Sequence, residues 1–311
     1  MTYRVGIDLG GTKTEILVLD TGGQTHHRVG QTLHRERFAT PAQDYEAILD
    51  TIVTRVDQVR SRFGPELSFG IGVPGAISPR TGLLRNSNTV CMNGRAFKSD
   101  IENRLGSEIR IENDANCFTL SEALGGAAQG HDVVFGVIIG TGTGGGLVVD
   151  GRLLNGPHSI TGEWGHNPLP WWREEDGRPE CYCAKEACIE TFLSGPGLAR
   201  NYELQFGDAL DSSAIVAAAA RGDRSCKQMM DSYHDQLARA FAHLINIVDP
   251  DAIVLGGGMS NIDSIYEVVP SLLPKYVFSD FVETPILKAA HGDSSGVYGA
   301  ALLWEQQALR G

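Results

Sequence analysis

The chain has 311 residues, 42% of them hydrophobic, and a formal net charge of −12. That length and apolar content allow two domains with sizeable cores and exclude a disordered chain. Acidic residues are spread along it without a basic patch, which excludes nucleic acid and membrane surfaces as expected partners, since both would repel a polyanion.

The N-terminus, MTYRVGIDLGG, lacks the long apolar core of a signal peptide. A cytoplasmic location is expected, where disulfides are rare. Residues 4–9 and Thr14–Asp20 read as two short strands joined by the tight turn Gly10-Gly11-Thr12-Lys13. A third strand around Thr25–Glu36 is polar enough for a sheet edge. Tyr45, Ile48, Leu49, Ile52, Val53, Val56, Val59 and Phe63 recur at helical spacing between Pro41 and Gly64, which predicts a helix. Residues 68–73 return to strand and meet a Pro-Gly turn. The uncharged stretch Val133–Val149 reads as two strands about a Gly/Thr turn, not as a membrane span.

That stretch repeats the opening at an offset of 130 residues, aligning Gly6 with Gly136, Gly10 with Gly140, and Asp20 with Asp150. Either Gly-rich hairpins look alike, or a domain is duplicated and its two turns face each other across a cleft. Met230, Tyr233, Leu237, Phe241, Leu244 and Val248 then mark a long amphipathic helix ending at Asp249-Pro250. A buried strand, Ala252–Leu255, runs into Gly256-Gly257-Gly258. A last strand is expected at 286–290 and a last helix at Val297–Leu309. The mixture implies α/β domains with helices packed on sheets.

Three glycine turns each follow an apolar strand: Gly10-Gly11-Thr12-Lys13, Gly140-Thr141-Gly142-Thr143-Gly144 and Gly256-Gly257-Gly258. Glycine most often simply makes the turn. It also lets backbone N–H groups approach and cradle phosphate oxygens, with Thr12, Lys13, Thr141 and Thr143 adding donors. Three such turns, two in duplicated positions, favour nucleotide binding. Asp8, just before the first turn, either caps it or positions Mg²⁺. Asn113-Asp114 either begins a helix with a cap or supplies a carboxylate for proton transfer.

CYCAKEAC, residues 181–188, places three cysteines downstream of a histidine. His166, Cys181, Cys183 and Cys188 are spaced H-x14-C-x-C-x4-C and offer one imidazole and three thiolates, a closed tetrahedral set suited to structural Zn²⁺. Buried cysteines beside a core histidine are the plainer alternative. Cys91, Cys117 and Cys226 lie apart.

Taken together, VGIDLGGTKTE, IIGTGTGGG, ENDANC, GEWGH and CYCAKEACIE resemble the ROK family of repressors, open reading frames and sugar kinases. The local wording GEWGHNPLPW and VDPDAIVLGGGMSN is most similar to bacterial fructokinases and mannokinases. The resemblance covers essentially the whole chain. It implies two RNase H-like domains of the sugar kinase/actin (ASKHA) type with an interdomain cleft, residues 1–115 plus 291–311 forming one. Residues 116–290, with a zinc loop at 166–188, form the other.

It further implies an ATP- and Mg²⁺-dependent hexose kinase, acting on fructose at its 6-hydroxyl. N-acetylglucosamine, glucose and mannose kinases are the alternatives, and a non-catalytic sugar-binding regulator a remoter one. Family repressors carry a helix-turn-helix before the first phosphate turn, for which no room is expected here. Asp114 is implied as the catalytic base. Asn113, Glu163, His166, Glu190 and, more weakly, Asn88 are implied as sugar ligands, and a homodimer as the assembly. The family usually has glycine where this chain has Ala184 and Ala187, so a left-handed backbone at either would strain the zinc loop.

Overall fold

The computed structural model describes residues 3–22 and 30–307. Their opening strands are β1 (Tyr3–Leu9), β2 (Lys13–Asp20) and β3 (Gln31–Ala39). β3 begins later than the sequence suggests, and residues 25–29 of the expected strand lie outside the described residues. Helix α1 (Tyr45–Phe63) has the expected length, but its N-cap is Asp44, whose carboxylate accepts the N–H of Glu46 and Ala47. Strand β4 (Leu67–Val73) follows, then a two-residue hairpin of β5 (Ala76–Ile77) and β6 (Leu84–Arg85), helix α2 (Phe97–Leu105), strand β7 (Ile109–Asn113) and helix α3 (Asp114–Gly125). The first sheet has the order β3-β2-β1-β4-β7. β1 pairs antiparallel with β2 and parallel with β4, which pairs parallel with β7.

Period-2 patterning sends the two faces of β2 into different layers. Ile16 and Val18 join α1 and α2 in one core with Ile48, Ile52, Phe97 and Ile101. Leu17 and Leu19 pack with Val297 and Ala301 on the other face. β3 is polar and lies at the edge, as its composition predicts.

The second set of strands is β8 (Val133–Ile139), β9 (Thr143–Val149) and β10 (Arg152–Leu153), later joined by β11 (Ala252–Gly256) and β12 (Ile286–Lys288). Its sheet order is β10-β9-β8-β11-β12. This is the first sheet's order with β8 in place of β1, and the first two strands sit at the offset of 130 read from the sequence. β8 again pairs parallel with the next strand, β11. The repeat is therefore one of topology as well as wording. Helices α4 (Glu190–Leu193), α5 (Gly195–Phe206), α6 (Ser212–Ala220), α7 (Arg224–Val248), α8 (Asp263–Leu272) and α9 (Ser295–Leu302) complete the described elements with several 3-10 turns. The expected last helix is α9 followed by a 3-10 turn over Leu303–Gln307; residues 308–309 lie outside the described residues.

Contacts divide the chain into two compact units, Met1–Gly130 with Gly146–Thr161 and Ala290–Gly311, and His131–Gly145 with Gly162–Ala289. The expected boundary at 115/116 thus leaves α3 and residues 146–161 on the other side of the division. Packing gives the reason for α3. An added Cβ at Gly299 of α9 would lie 1.7 Å from the Cys117 carbonyl oxygen, so these two helices meet backbone to backbone. The fully buried Glu122 of α3 accepts the N–H of Ala290 (2.9 Å) and His291 (3.2 Å) and the hydroxyl of Ser295 (2.7 Å).

In the second unit, residues 167–180 are fastened to α7 by a buried ion pair. The Arg239 side chain is 1% exposed and binds Asp176 twice, Nη2 to Oδ1 at 2.7 Å and Nη1 to Oδ2 at 2.9 Å. Nη1 also donates to the Trp171 carbonyl, and Gln236 donates to Asp176. Burial alone would raise the Asp176 carboxyl, but the bonds from Arg239 and Gln236 hold it below the ordinary carboxylate range.

Candidate active site

In the first unit the turn between β1 and β2 is closed by Gly10 N–H donating to the Lys13 carbonyl at 3.0 Å. Thr40, at the end of β3, ties it down further. Its hydroxyl donates to the Gly10 carbonyl and its N–H to that of Thr12. Thr12 and Lys13 are exposed. Asn88 lies beside this turn, its Oδ1 3.6 Å from where a Cβ on Gly11 would stand. The loop carrying it is clamped by Asn93, which accepts the Ser87 N–H and donates to the Ser87 carbonyl, both at 2.9 Å.

Asp8 belongs to β1 opposite Glu15, so it does not cap the turn. Burial, with the carboxylates of Asp114 and Glu15 nearby, pushes it up to about 7 against the opposing effect of Arg37. The charges of Asp114 and Glu15 are thus felt at Asp8. Glu15 is partly answered by Arg35 and Arg37, which both bind its carboxylate.

The capping question at Asn113-Asp114 resolves in favour of Asn113. Its Oδ1 accepts the N–H of Ala115 (2.9 Å) and Asn116 (3.4 Å), and its Nδ2 donates to the Gly75 carbonyl at 3.0 Å. Asp114 is the first helical residue, with Oδ1 accepting the adjacent Ala115 N–H at 2.8 Å. A carboxylate is favoured there by the helix dipole. Sequence reasoning missed Glu112, which accepts from the Asn113 N–H, from Asn116 and, at 2.6 Å, from Asn155. Asn155 is a partner 43 residues away that no local pattern marks.

In the second unit two glycine turns come together. A Cβ on Gly140 would stand 3.9 Å from the Gly258 N. Gly257 has φ +81°, and an added Cβ would meet the Ile139 carbonyl oxygen at 2.4 Å, so only glycine fits there. The Gly195 N–H at the start of α5 donates to the Gly140 carbonyl at 2.9 Å. Thr141 is exposed, whereas Thr143 is buried and its hydroxyl has no partner. The Thr143 N–H donates instead to Glu190 Oε2 at 2.9 Å. Glu190, expected only as a sugar ligand, therefore holds the second glycine turn with one of its oxygens. Glu163 is exposed and begins the 3-10 turn Trp164–His166, and the Trp164 indole donates to the Gly144 carbonyl.

The four expected metal ligands converge. His166 Nδ1 and the sulfurs of Cys181, Cys183 and Cys188 all lie within 4.8 Å of one another. The Cys183–Cys188 sulfur separation is 3.6 Å and that of His166 Nδ1 and Cys181 is 3.6 Å. A disulfide is about 2 Å long, and all six cysteines are free. A tetrahedron of thiolates about 2.3 Å from zinc has edges of roughly 3.8 Å, so these spacings fit the metal. Burial raises the thiols of Cys181 and Cys188, the latter to about 12. A bound cation is what would keep them as thiolates.

Ala184 and Ala187 have φ of +64° and +56°, so both positions are left-handed and the strain expected from the sequence is present. Ala184→Gly and Ala187→Gly should each stabilise the loop by up to about 1 kcal/mol, the left-handed penalty less the extra entropy of glycine. Thermal melts of the metal-free protein check this, and a lowered midpoint would contradict it.

As a ligand implied for both metal and sugar, His166 would turn its second ring nitrogen to a sugar hydroxyl. It meets the Tyr182 hydroxyl, with Nε2 to Oη 2.9 Å and the rings edge to face at 5.1 Å. Tyr182 is 82% exposed as a residue, with its hydroxyl end turned to His166. Burial of that end pushes the phenol up to about 12, helped by Glu190, Cys181, Glu163 and Cys183 around it. A single tyrosine between two cysteines carries no signal of this role in the sequence.

Residues 4–307 match the profile of the ROK family. The chain is 37% identical over 303 residues to N-acetyl-D-glucosamine kinase of Aliivibrio fischeri, covering 96% of this chain and 98% of that one. It superposes on the ROK hexokinase from Thermus thermophilus with a TM-score of 0.87 at 28% identity, over the whole of both chains. A ROK family glucokinase from Streptomyces griseus, in complex with glucose and AMPPNP, superposes with a TM-score of 0.76 at 25% identity, over 97% of this chain and 98% of that one. Two five-stranded sheets of repeated order, glycine turns on both and this similarity from end to end place the chain in the ROK family, as a sugar kinase.

Proposed function

We propose that the chain phosphorylates N-acetyl-D-glucosamine with ATP, at the 6-hydroxyl that the family resemblance implies. The observation that carries this is the end-to-end identity of 37% with an N-acetyl-D-glucosamine kinase. It outweighs the short wording that favours fructose. Asp114 takes the proton of the attacking hydroxyl. Asn113 retains one amide N–H beyond the one it gives to Gly75, enough to donate to a sugar hydroxyl. Glu163, His166 and the remaining oxygen of Glu190 hold other hydroxyls, with Asn88 a further contact.

The turns at Gly10–Lys13, Gly140–Thr143 and Gly256–Gly258 bind the nucleotide, whose γ-phosphoryl group is the one transferred. Mg²⁺ would be held beside Asp8 and would supply charge neutralisation for the phosphates. Zn²⁺ would be held by His166, Cys181, Cys183 and Cys188 and would supply rigidity alone, since four protein ligands leave no open position. The same reading makes the enzyme a cytoplasmic homodimer; among the described residues no helix is long and apolar enough to cross a membrane.

A coupled ADP-release assay across N-acetylglucosamine, fructose, glucose and mannose tests it. N-acetylglucosamine should have a kcat/KM at least about tenfold above fructose, roughly what one well-placed hydrogen bond provides. A preference for fructose would reverse the substrate assignment, and turnover of no sugar would overturn the reading altogether.

A further inference from the structure

We propose that Tyr182 is a displaceable guard on the sugar-facing nitrogen of His166, and thereby sets the enzyme's affinity for its hexose. The inference rests on His166 being a sugar ligand, as in the reading above.

His166 directs Nδ1 at Cys181 Sγ and Nε2 at Tyr182 Oη. With Nδ1 committed to the cluster, a neutral imidazole carries its proton on Nε2 and donates it to the phenolic oxygen. A hexose hydroxyl that accepts this bond must take it from Tyr182, because one N–H serves one good acceptor.

Two observations make the exchange feasible. Tyr182 is 82% exposed, so its ring has little packing to lose on swinging away. Its backbone is held independently, by Cys181 N–H to the Lys185 carbonyl at 2.8 Å and Ala184 N–H to the Cys181 carbonyl at 2.9 Å. Rotation about the side-chain bonds is therefore enough, and the cysteines on either side stay in place. The hydroxyl also has the carboxylates of Glu190 and Glu163 in its surroundings, so it stands among the groups assigned to the sugar.

A site that is competent only when the guard is away binds more weakly by the fraction of time it is away. Closing one hydrogen bond of ordinary net strength reduces that fraction to about a third to a tenth. Tyr182→Phe keeps the ring and removes the acceptor, and an exposed position tolerates the change. Titration calorimetry of wild type and Tyr182→Phe with N-acetylglucosamine, fructose and glucose reads the effect directly.

The variant should bind the preferred hexose about three- to tenfold more tightly. Hexose KM should fall with it, while kcat, ATP KM and zinc content stay within about twofold; a change in packing alone would not produce that split. A wild type that binds hexose while the variant binds it equally or more weakly overturns the guard and leaves the kinase reading intact. A wild type that binds none of the hexoses overturns the site reading, and the guard with it.

Discussion

Asp114→Asn should lower kcat for hexose phosphorylation by roughly 10²- to 10⁴-fold, the range for losing a general base, with the melting temperature almost unchanged. The second half of that expectation makes the first interpretable. Asn113, not Asp114, caps α3, so the cap bonds to Ala115 and Asn116 survive the substitution. The bond from the Ala115 N–H can pass to the new amide oxygen. Loss of a charge at the helix N-terminus costs about 0.3–1 kcal/mol. It is offset by relief of Asp8, which Asp114 helps to push up to about 7. Steady-state rates with a saturating hexose, alongside a thermal melt, provide the measurement. A variant with near wild-type kcat would remove Asp114 from the mechanism.

Removing zinc should raise hexose KM at least about tenfold, the lower bound for disturbing a metal site that orients a ligand. The KM for ATP should move much less. The cluster holds His166 directly and lies in sequence between Glu163 and Glu190, so all three proposed sugar contacts depend on one small loop. Without the metal, only backbone hydrogen bonds such as Ala184 N–H to Cys181 and Ala187 N–H to Pro179 hold two left-handed alanines in that loop. The two glycine turns keep anchors of their own, Gly195 N–H to Gly140 in one and Gly10 N–H to Lys13 in the other. The turn at Gly140 is still not wholly insulated, because Glu190 also accepts the Thr143 N–H. Metal analysis of protein purified without added zinc should give about one zinc per chain, and Cys188→Ser should reproduce the effect of a chelator. Zinc-free protein with an unchanged hexose KM would strike the metal from the account.

Much of the architecture is legible in the sequence because it is periodic. Short apolar runs about glycine turns give β1, β2, β8 and β9, and helical spacing gives α1 and α7. The offset of 130 anticipates a sheet order that the second half repeats. What stays hidden depends on partners distant in sequence. The division of the chain is set by α3 meeting α9 and by Glu122 holding residues 290–295, a contact across about 170 positions. At the site, residue types announce Asp114, His166 and the cysteines. Geometry alone decides that Asn113 is the cap, that Glu190 serves the second glycine turn, and that Tyr182 occupies His166 Nε2.

The buried pair between Arg239 and Asp176 has a consequence for how the segment ahead of the cysteine cluster moves. A guanidinium 1% exposed on α7 that loses Asp176 keeps only Asp235, one turn earlier on the same helix, and breaking a buried pair costs about 3–5 kcal/mol. Residues 171–177 therefore have no half-open form in which they fray gradually from the helix. They stay seated through ordinary thermal motion, and they detach only in an event that also disturbs the centre of α7.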